Sequence, residues 1–189
     1  MSLSPLPPGP YTGDDLLPEA PMVYDQTRTV NTSRADVWPW VVQLGKGRGG
    51  WYCPSSWERR MPVSWRASRS VEARWQGLAV GDRVADYGFS ADDYFDVAVV
   101  EPERALVYRS DRYGASFSWS LLLHEVEGPG GEGAGATVRT VVHLRFRGKI
   151  AAQGLKKRLI VWGGGILDHL TTAPMLAGLA ERAEGKQAN

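Results

Sequence analysis

The sequence predicts an α+β fold in which a curved antiparallel sheet of about six to seven strands wraps around a long C-terminal helix. Three observations lead to this fold. A short strand at Tyr24–Asn31 precedes an aromatic-rich helix and a glycine-rich loop at Val37–Tyr52. Strand-like segments then fill residues 82–147, and a helical pattern closes the chain at Ile166–Glu184. A strand, short helices, a sheet and a closing helix, in this order, indicate a container for a ligand.

The chain length suits one domain of ordinary size, since there are 189 residues. Residues 1–22 hold six of the twelve prolines, so we expect an irregular arm that is either disordered or laid across the surface. Residues 23–185 are then expected to form a single ligand-binding domain.

Charge and hydropathy argue against several classes of partner. The chain has 22 basic and 21 acidic residues, so no long-range attraction to nucleic acid or to an anionic membrane is expected. No apolar run approaches the roughly 18 residues of a membrane span, so stable membrane insertion is not expected either. The N-terminus lacks the basic and apolar regions of a signal peptide, which predicts a cytoplasmic protein.

The first helix is predicted to begin at a capping box, Ser33–Asp36. Its apolar face follows at helical spacing: Val37, Trp40, Val41 and Leu44. Pro39 lacks the N–H of an internal helical residue, so the helix either starts late or kinks there. Gly45 is expected to end it. The region that follows is irregular apart from one short helix near Ser55–Arg60.

Five further strands are predicted: Asp82–Tyr87, Tyr94–Glu101, Ala105–Ser110, Ser116–Glu127 and Thr137–Arg147. The glycine-rich residues 128–136 form the loop between the last two. Inward positions on two of the strands are Phe95, Val97 and Val99, and then Phe117, Trp119, Leu121 and Leu123.

The last predicted strand has the clearest alternation in the chain. Its dry face comprises Val138, Thr140, Val142, Leu144 and Phe146. Its other face comprises Arg139, His143, Arg145 and Arg147. This pattern is typical of an antiparallel sheet with one covered face, so the polar face is expected to be wet and convex.

The closing helix carries apolar residues at helical spacing: Ile166, Leu170, Met175, Leu176 and Leu179. Pro174 interrupts this pattern, and the triplet Gly163–Gly165 separates it from the preceding residues. We therefore expect a broken or kinked helix rather than a straight one, with Gly185 as its stop.

Tryptophan is unusually frequent and is concentrated in one region. Five of the eight tryptophans lie between positions 38 and 65. A large aromatic side chain usually fills a core, and an indole N–H needs a partner when it is buried. The concentration therefore indicates either core packing or an aromatic-lined pocket.

Several segments together resemble a known superfamily. They are TRTVNTSRADVWPWVVQLGKGRGGWY (27–52), VGDRV (80–84), VVEPERALVYR (99–109), the strand with Trp119, VVHLRFR (141–147) and MLAGLAERAE (175–184). The chain is similar to the START/Bet v 1-like (SRPBCC) superfamily of polyketide cyclases/dehydrases and lipid transport proteins, in particular a bacterial branch. The resemblance covers nearly the whole chain after residue 22. It implies a helix-grip fold, a bent antiparallel sheet gripping a C-terminal helix, with two short helices closing one end.

The chain departs from this superfamily pattern at two places. After Tyr52 the branch continues with a Ser-Tyr-Asp-Trp-like stretch, whereas this chain has Cys-Pro-Ser-Ser before Trp57. The corner at Asn31–Arg34 also lacks the usual proline.

Motifs for cofactor, metal and nucleophilic chemistry are absent from the sequence. The loop Gly45–Gly50 follows a helix and has no Lys-Ser/Thr pair, so it is not a phosphate-binding P-loop. Cys53 is the single cysteine, and there is no HExxH or GxSxG motif. We therefore predict no cofactor, no metal and no identifiable catalytic residue.

A few polar residues have ambiguous positions. His143 and His124 are expected to face away from the pocket, whereas His169 on the closing helix is either a surface residue or an inward one. Asp96 is expected to be exposed, unless the apolar residues of its strand point outward and it enters the pocket with a raised pKa. Tyr108 is predicted to point inward.

Three hypotheses for function follow. The first is a non-catalytic pocket for a hydrophobic or amphipathic small molecule, lipid or polyketide-like, with Arg48 at its mouth. Its predicted ligand-binding residues are Trp57, Tyr108, Trp119, Leu121, Val142, Met175, Arg48 and His169. The second is a cyclase/dehydrase-type enzyme in which Tyr108, Asp96 or His169 transfers protons. The third is an interaction or chaperone-like module that uses the tryptophan-rich residues 51–65.

Overall fold

The computed structural model describes residues 6, 8–86, 93–128, 137–150 and 171–185. Six antiparallel strands form one curved sheet in the order β1-β6-β5-β4-β3-β2. The strands are β1 Met22–Val30, β2 Arg83–Ala85, β3 Tyr94–Glu101, β4 Ala105–Arg112, β5 Ala115–Glu127 and β6 Val138–Ile150. With helices after β1 and at the C-terminus, the predicted α+β helix-grip fold is confirmed.

The strand order follows from short connections after β2. Each strand from β2 to β6 pairs with the next in antiparallel register, whereas β1 pairs with β6 along its whole length, from Met22–Gly148 to Val30–Thr140. The chain between β1 and β2 therefore passes from one edge of the sheet to the other. It forms α1 (Arg34–Val42), α2 (Ser55–Glu58) and two 3-10 turns, Val63–Trp65 and Ala73–Trp75.

Helix α1 begins at the predicted cap. The Ser33 Oγ accepts a hydrogen bond from the Asp36 N–H at 3.2 Å and donates to its carboxylate at 2.6 Å. Hydrogen bonds from Ser33 and Thr32 lower the pKa of the Asp36 carboxyl. Pro39 lies inside the helix and does not delay its start. The helix ends at Val42, earlier than predicted.

Gly45 has a packing role as well as a turn role. Its φ of 130° is in the region that favours glycine. A Cβ at this position would collide with the Val84 side chain of β2. Gly45 therefore lets the loop after α1 approach the far edge strand.

The core lies between the inner face of the sheet, α1 and the C-terminal helix. Its fully buried sheet and α1 residues include Val30, Val37, Val41, Leu106, Leu121, Val142 and Leu144. The predicted dry face of β6 is correct from Thr140 to Phe146, although Val138 at the strand start is exposed. In β3 a register shift between Val97 and Val99 places Val100 rather than Val99 against the core.

The outer face of the sheet is covered along β6, where the sequence predicted a wet face. Residues 11–20 lie across it, because the Asp14 carboxylate pairs with Arg145 at 2.7 Å. The guanidinium of Arg147 donates to the carbonyls of Leu17 and Pro18 at 2.9 and 2.8 Å. Arg145 and Arg147 are largely buried because residues 14–18 supply their hydrogen-bond acceptors. Residues 11–20 are therefore laid across the surface, as one of the two alternatives for the arm expected.

His143, predicted to be solvated on this outer face, is fully buried beneath the arm. Its Nε2 lies 2.6 Å from Oδ1 of Asp25 and its Nδ1 3.3 Å from Nε2 of His124. The Tyr11 ring packs edge-on against His143, with centroids 4.8 Å apart. Since a carboxylate only accepts, Nε2 of His143 carries a hydrogen. Between Nδ1 of His143 and Nε2 of His124, one nitrogen then carries a hydrogen and donates it, and the other accepts.

The C-terminal helix occupies residues 171–183 in the described part of the chain. It continues through Pro174, where the sequence predicted an interruption. The predicted break at Gly163–Gly165 and the helix start at Ile166 lie outside the described residues. Met175, Leu176 and Leu179 pack into the core.

One buried ion pair fixes the C-terminal helix to the segment after α1. Arg182 Nη2 lies 2.6 Å from Glu58 Oε1, and both side chains are almost fully buried. Arg182 also donates to the carbonyls of Ser68 at 2.8 Å and Cys53 at 3.2 Å. Its guanidinium stacks over Tyr52 at 4.4 Å. The helix is thereby joined to three points of the irregular segment.

Replacing Glu58 with Gln is expected to lower the free energy of unfolding by about 3–5 kcal/mol, because Arg182 would remain as an uncompensated buried charge. Urea denaturation measures this loss. The control is Asp111→Asn, which breaks an exposed ion pair with Arg109 and should cost less than about 1 kcal/mol. Equal losses in the two variants would contradict a special role for the buried pair.

Stability is also expected to fall as the pH drops below 6.5. Burial, then the neighbouring His143 and Arg34, lower the pKa of His124 from 6.5. Below 6.5 the unfolded chain binds more protons than the folded chain, which favours unfolding. Urea denaturation between about pH 7.5 and 5.5 measures the slope. His124→Gln should flatten it, and an unchanged slope would contradict this assignment.

Candidate functional site

The interior between the sheet and the C-terminal helix brings together five of the predicted ligand-binding residues. These are Tyr108, Trp119, Leu121, Val142 and Met175, all buried in one apolar cluster. Their common location follows from strand register, because Tyr108 pairs with Trp119 across β4 and β5. Two rungs further along, and therefore on the same face, Leu106 pairs with Leu121. Residues directly opposite on antiparallel strands present their side chains to the same face.

Aromatic rings form one wall of this interior. Trp51 lies edge-on to Trp119 with centroids 5.2 Å apart, and Phe95 stacks with Trp119 at 6.0 Å. Phe95 also contacts Tyr108 at 5.5 Å and Phe117 at 5.9 Å. Neither Trp51 nor Phe95 was among the predicted ligand-binding residues. The alternation of β3 places Phe95 inward, whereas the position of Trp51 depends on a loop that has no periodic pattern.

Two hydrogen-bond donors in this interior have no partner in the described part of the chain. They are Oη of Tyr108, whose side chain is fully buried, and Nε1 of Trp119. Burial raises the pKa of the Tyr108 phenol, so it stays protonated and remains a donor at neutral pH. An unpaired buried donor costs about 1–3 kcal/mol. The arrangement can therefore bind a hydrogen-bond acceptor in apolar surroundings.

Arg48 anchors the loop beside this interior. Its Nη2 donates to the Val42 carbonyl at 3.1 Å and to the Trp75 carbonyl at 2.7 Å. Its Nε is buried without a partner among the described residues. The positive charge of Arg48 acts on Tyr108, where it partly opposes the rise in pKa caused by burial. The predicted place of Arg48 at a pocket mouth stays a prediction.

Two residues considered for the site, Trp57 and Asp96, lie outside this cluster. Trp57, predicted to line the interior, lies on α2 with half of its surface exposed, because Glu58 rather than Trp57 points toward the C-terminal helix. Asp96 lies on the outer side, 3.3 Å from Arg83 Nε. His169 lies outside the described residues.

The described residues give little support for a nucleophilic cysteine, a metal site or a membrane span. Burial, followed by the charge of Glu58, raises the pKa of the Cys53 thiol, which opposes a nucleophilic role. In the ranges that the structure describes, no three His, Cys, Asp or Glu side chains gather to hold a metal ion. Within those same ranges, no helix has the length and apolar composition to cross a membrane.

Comparison with known proteins gives structural similarity alone. No protein-family model matches the chain, and no curated protein matches it. Among solved structures, protein SSP2350 from Staphylococcus saprophyticus is 14% identical, with a TM-score of 0.48 over 89% of this chain and 96% of its own.

Two further solved structures are also similar to this chain. The Polyketide_cyc-like protein Cgl2372 from Corynebacterium glutamicum is 13% identical, with a TM-score of 0.32 over 87% of this chain and 88% of its own. The Aha1 dimer from Colwellia psychrerythraea is 10% identical, with a TM-score of 0.38 over 82% of this chain and 98% of its own. At such identities and scores, these likenesses assign neither a family nor a function.

The buried hydroxyl of Tyr108 leads to a prediction about stability. Tyr108→Phe removes a buried hydroxyl that has no partner among the described residues, so the free energy of unfolding without ligand should stay equal or rise by up to about 1 kcal/mol. The control is Tyr52→Phe, which removes a hydrogen bond to the Trp40 carbonyl at 2.9 Å and should cost about 1 kcal/mol. Urea denaturation compares the two. A clear loss in Tyr108→Phe would show that the hydroxyl is already satisfied.

Proposed function

We propose that this protein binds an apolar or amphipathic small molecule between the sheet and the C-terminal helix. The observation that carries the proposal is a pair of buried donors, Tyr108 Oη and Trp119 Nε1, which have no partner among the described residues and are set in an aromatic cluster. The bound molecule presents a hydrogen-bond acceptor to these donors and an apolar body to the rings. Lipid-like and polyketide-like molecules with a carbonyl, hydroxyl or carboxyl group have this character.

The energetics support an acceptor-bearing ligand over a purely apolar one. Each buried donor without a partner carries an unfavourable cost of about 1–3 kcal/mol in the empty protein. An acceptor that reaches a donor relieves that cost, whereas a hydrocarbon does not. Phe95 and Trp51, whose rings meet edge to face, give the apolar part of the ligand rigid aromatic contacts with little loss of side-chain entropy.

A binding role is favoured over proton-transfer catalysis of the cyclase/dehydrase type. The Tyr108 phenol has a raised pKa and serves as a donor rather than a base. Asp96, a second residue considered for proton transfer, pairs with Arg83 on the outer side of the sheet. Membership of the START/Bet v 1-like superfamily is part of this proposal, supported by the sequence segments quoted above and the helix-grip arrangement.

The proposal is tested with two probes of nearly equal shape, 2-acetylnaphthalene and 2-ethylnaphthalene, of which only the first carries an acceptor. We expect the ketone to bind about three- to tenfold more tightly, as one neutral hydrogen bond provides. Isothermal titration calorimetry measures both affinities. In parallel, native mass spectrometry of gently purified protein is expected to show a co-purified small molecule as extra mass.

Variants separate the role of the donors from the role of the apolar wall. Tyr108→Phe and Trp119→Phe should each reduce the preference for the ketone and leave the affinity for 2-ethylnaphthalene nearly unchanged. Asp96→Asn, outside the cluster, serves as the control and should behave like the wild type. Absence of binding by both probes together with an unmodified native mass would overturn the proposal.

A further inference from the structure

A second region of the molecule has the composition of a binding surface. The segment 57–66, which we name the Trp–Arg segment, exposes Trp57 by 50%, Val63 by 76% and Trp65 by 74%. Trp is normally well buried in a folded protein because its apolar area is large. Three large apolar side chains exposed within one short segment are typical of a surface that meets a partner.

The exposed charge of the Trp–Arg segment is entirely positive. Arg59, Arg60 and Arg66 are exposed, and the one acidic residue of the segment, Glu58, is buried. Glu58 pairs with Arg182 and with Arg69, each at 2.6 Å, so it does not neutralise Arg60 or Arg66. The net charge of +1 for the whole chain conceals this local concentration of cations.

The segment is held in a defined shape by its own arginines. Arg60 Nη1 donates to the Ser56 carbonyl at 2.8 Å, and Arg66 Nε donates to the Met61 carbonyl at 3.0 Å. These acceptors are neutral backbone groups, which orient the guanidinium groups without cancelling their charge. The Ser55 N–H, just before the segment, donates to Glu181 on the C-terminal helix at 2.7 Å. These hydrogen bonds therefore hold the segment in one conformation.

We propose that the Trp–Arg segment docks the protein on the surface of an anionic phospholipid membrane. The indole rings of Trp57 and Trp65 enter the boundary between headgroups and acyl chains, where tryptophan is preferred. Arg60 and Arg66 contact the lipid phosphates. Charge complementarity selects an anionic surface. A lipid interface accommodates apolar side chains and cations that alternate along one segment. A protein partner would need a separate shaped pocket for each exposed aromatic side chain.

Docking of this kind is peripheral and needs no membrane span. The docking proposal rests on residues outside the interior cluster, so it is tested independently of the proposed small-molecule site. If both hold, the ligand-binding interior and the docking surface share the segment that Arg182 fixes to the C-terminal helix.

The test is co-sedimentation of the full chain with vesicles of phosphatidylcholine, either alone or with about one third phosphatidylglycerol. We expect binding to the anionic vesicles that weakens as salt rises, and little binding to the neutral ones. Trp57→Ala/Trp65→Ala should weaken binding to anionic vesicles by roughly tenfold or more. Arg60→Gln/Arg66→Gln should weaken it by about fivefold for each arginine.

Matched variants separate charge from local structure. Arg60→Lys/Arg66→Lys keeps both charges and should bind nearly as the wild type does, whereas a structural role would make it fail like the glutamine variant. Arg104→Gln and Val80→Ser alter an exposed cation and an exposed apolar residue elsewhere and should bind normally. Circular dichroism checks that each variant is folded.

Several outcomes would overturn the proposal. They are equal binding to neutral and anionic vesicles, wild-type binding by the double tryptophan variant, and no binding to any vesicle. Poly-L-glutamate serves as a model of an acidic protein surface. Binding to it without binding to anionic vesicles would assign the segment to an acidic protein partner instead.

Discussion

The buried ion pair between Arg182 and Glu58 is the constraint on which both proposed surfaces depend. Arg182 stands on the C-terminal helix, and through Glu58 and the carbonyls of Cys53 and Ser68 it holds an otherwise irregular segment in place. Because Glu58 points inward, its neighbour Trp57 points outward. The same anchoring leaves Tyr52 stacked beneath the guanidinium. This charge pair thus helps to hold Tyr52 inside and Trp57 outside.

Much of the sheet could be predicted because its strands carry local patterns. Alternation in β5 and β6 identifies the inner face, and antiparallel pairing then brings Trp119, Leu121 and Leu144 together. The cap at Ser33 was also recognisable, since capping depends on residues three positions apart. These features are determined by near neighbours in the chain, which is why a single sequence predicts them.

The remaining features depend on partners far away in sequence. The polar face of β6 appeared solvated because the acceptors of its arginines belong to the N-terminal arm, and an irregular arm has no periodicity that reveals its docking place. The shift in β3 from Val99 to Val100 comes from a bulge that alternation does not predict. Likewise, Trp57 and Glu58 could be assigned to opposite sides only through Arg182, 124 positions later.

The pairing of the first strand with the last has a consequence for the order of folding. β1 and the arm that covers the outer face have no partner until β6 exists, and Asp14 and Arg145 are 131 positions apart. During synthesis, the N-terminal strand therefore waits while most of the chain is made. Such long-range closure is entropically costly and slows folding. The proline-rich arm at that waiting end resists pairing with other chains, because proline cannot donate to a β-ladder.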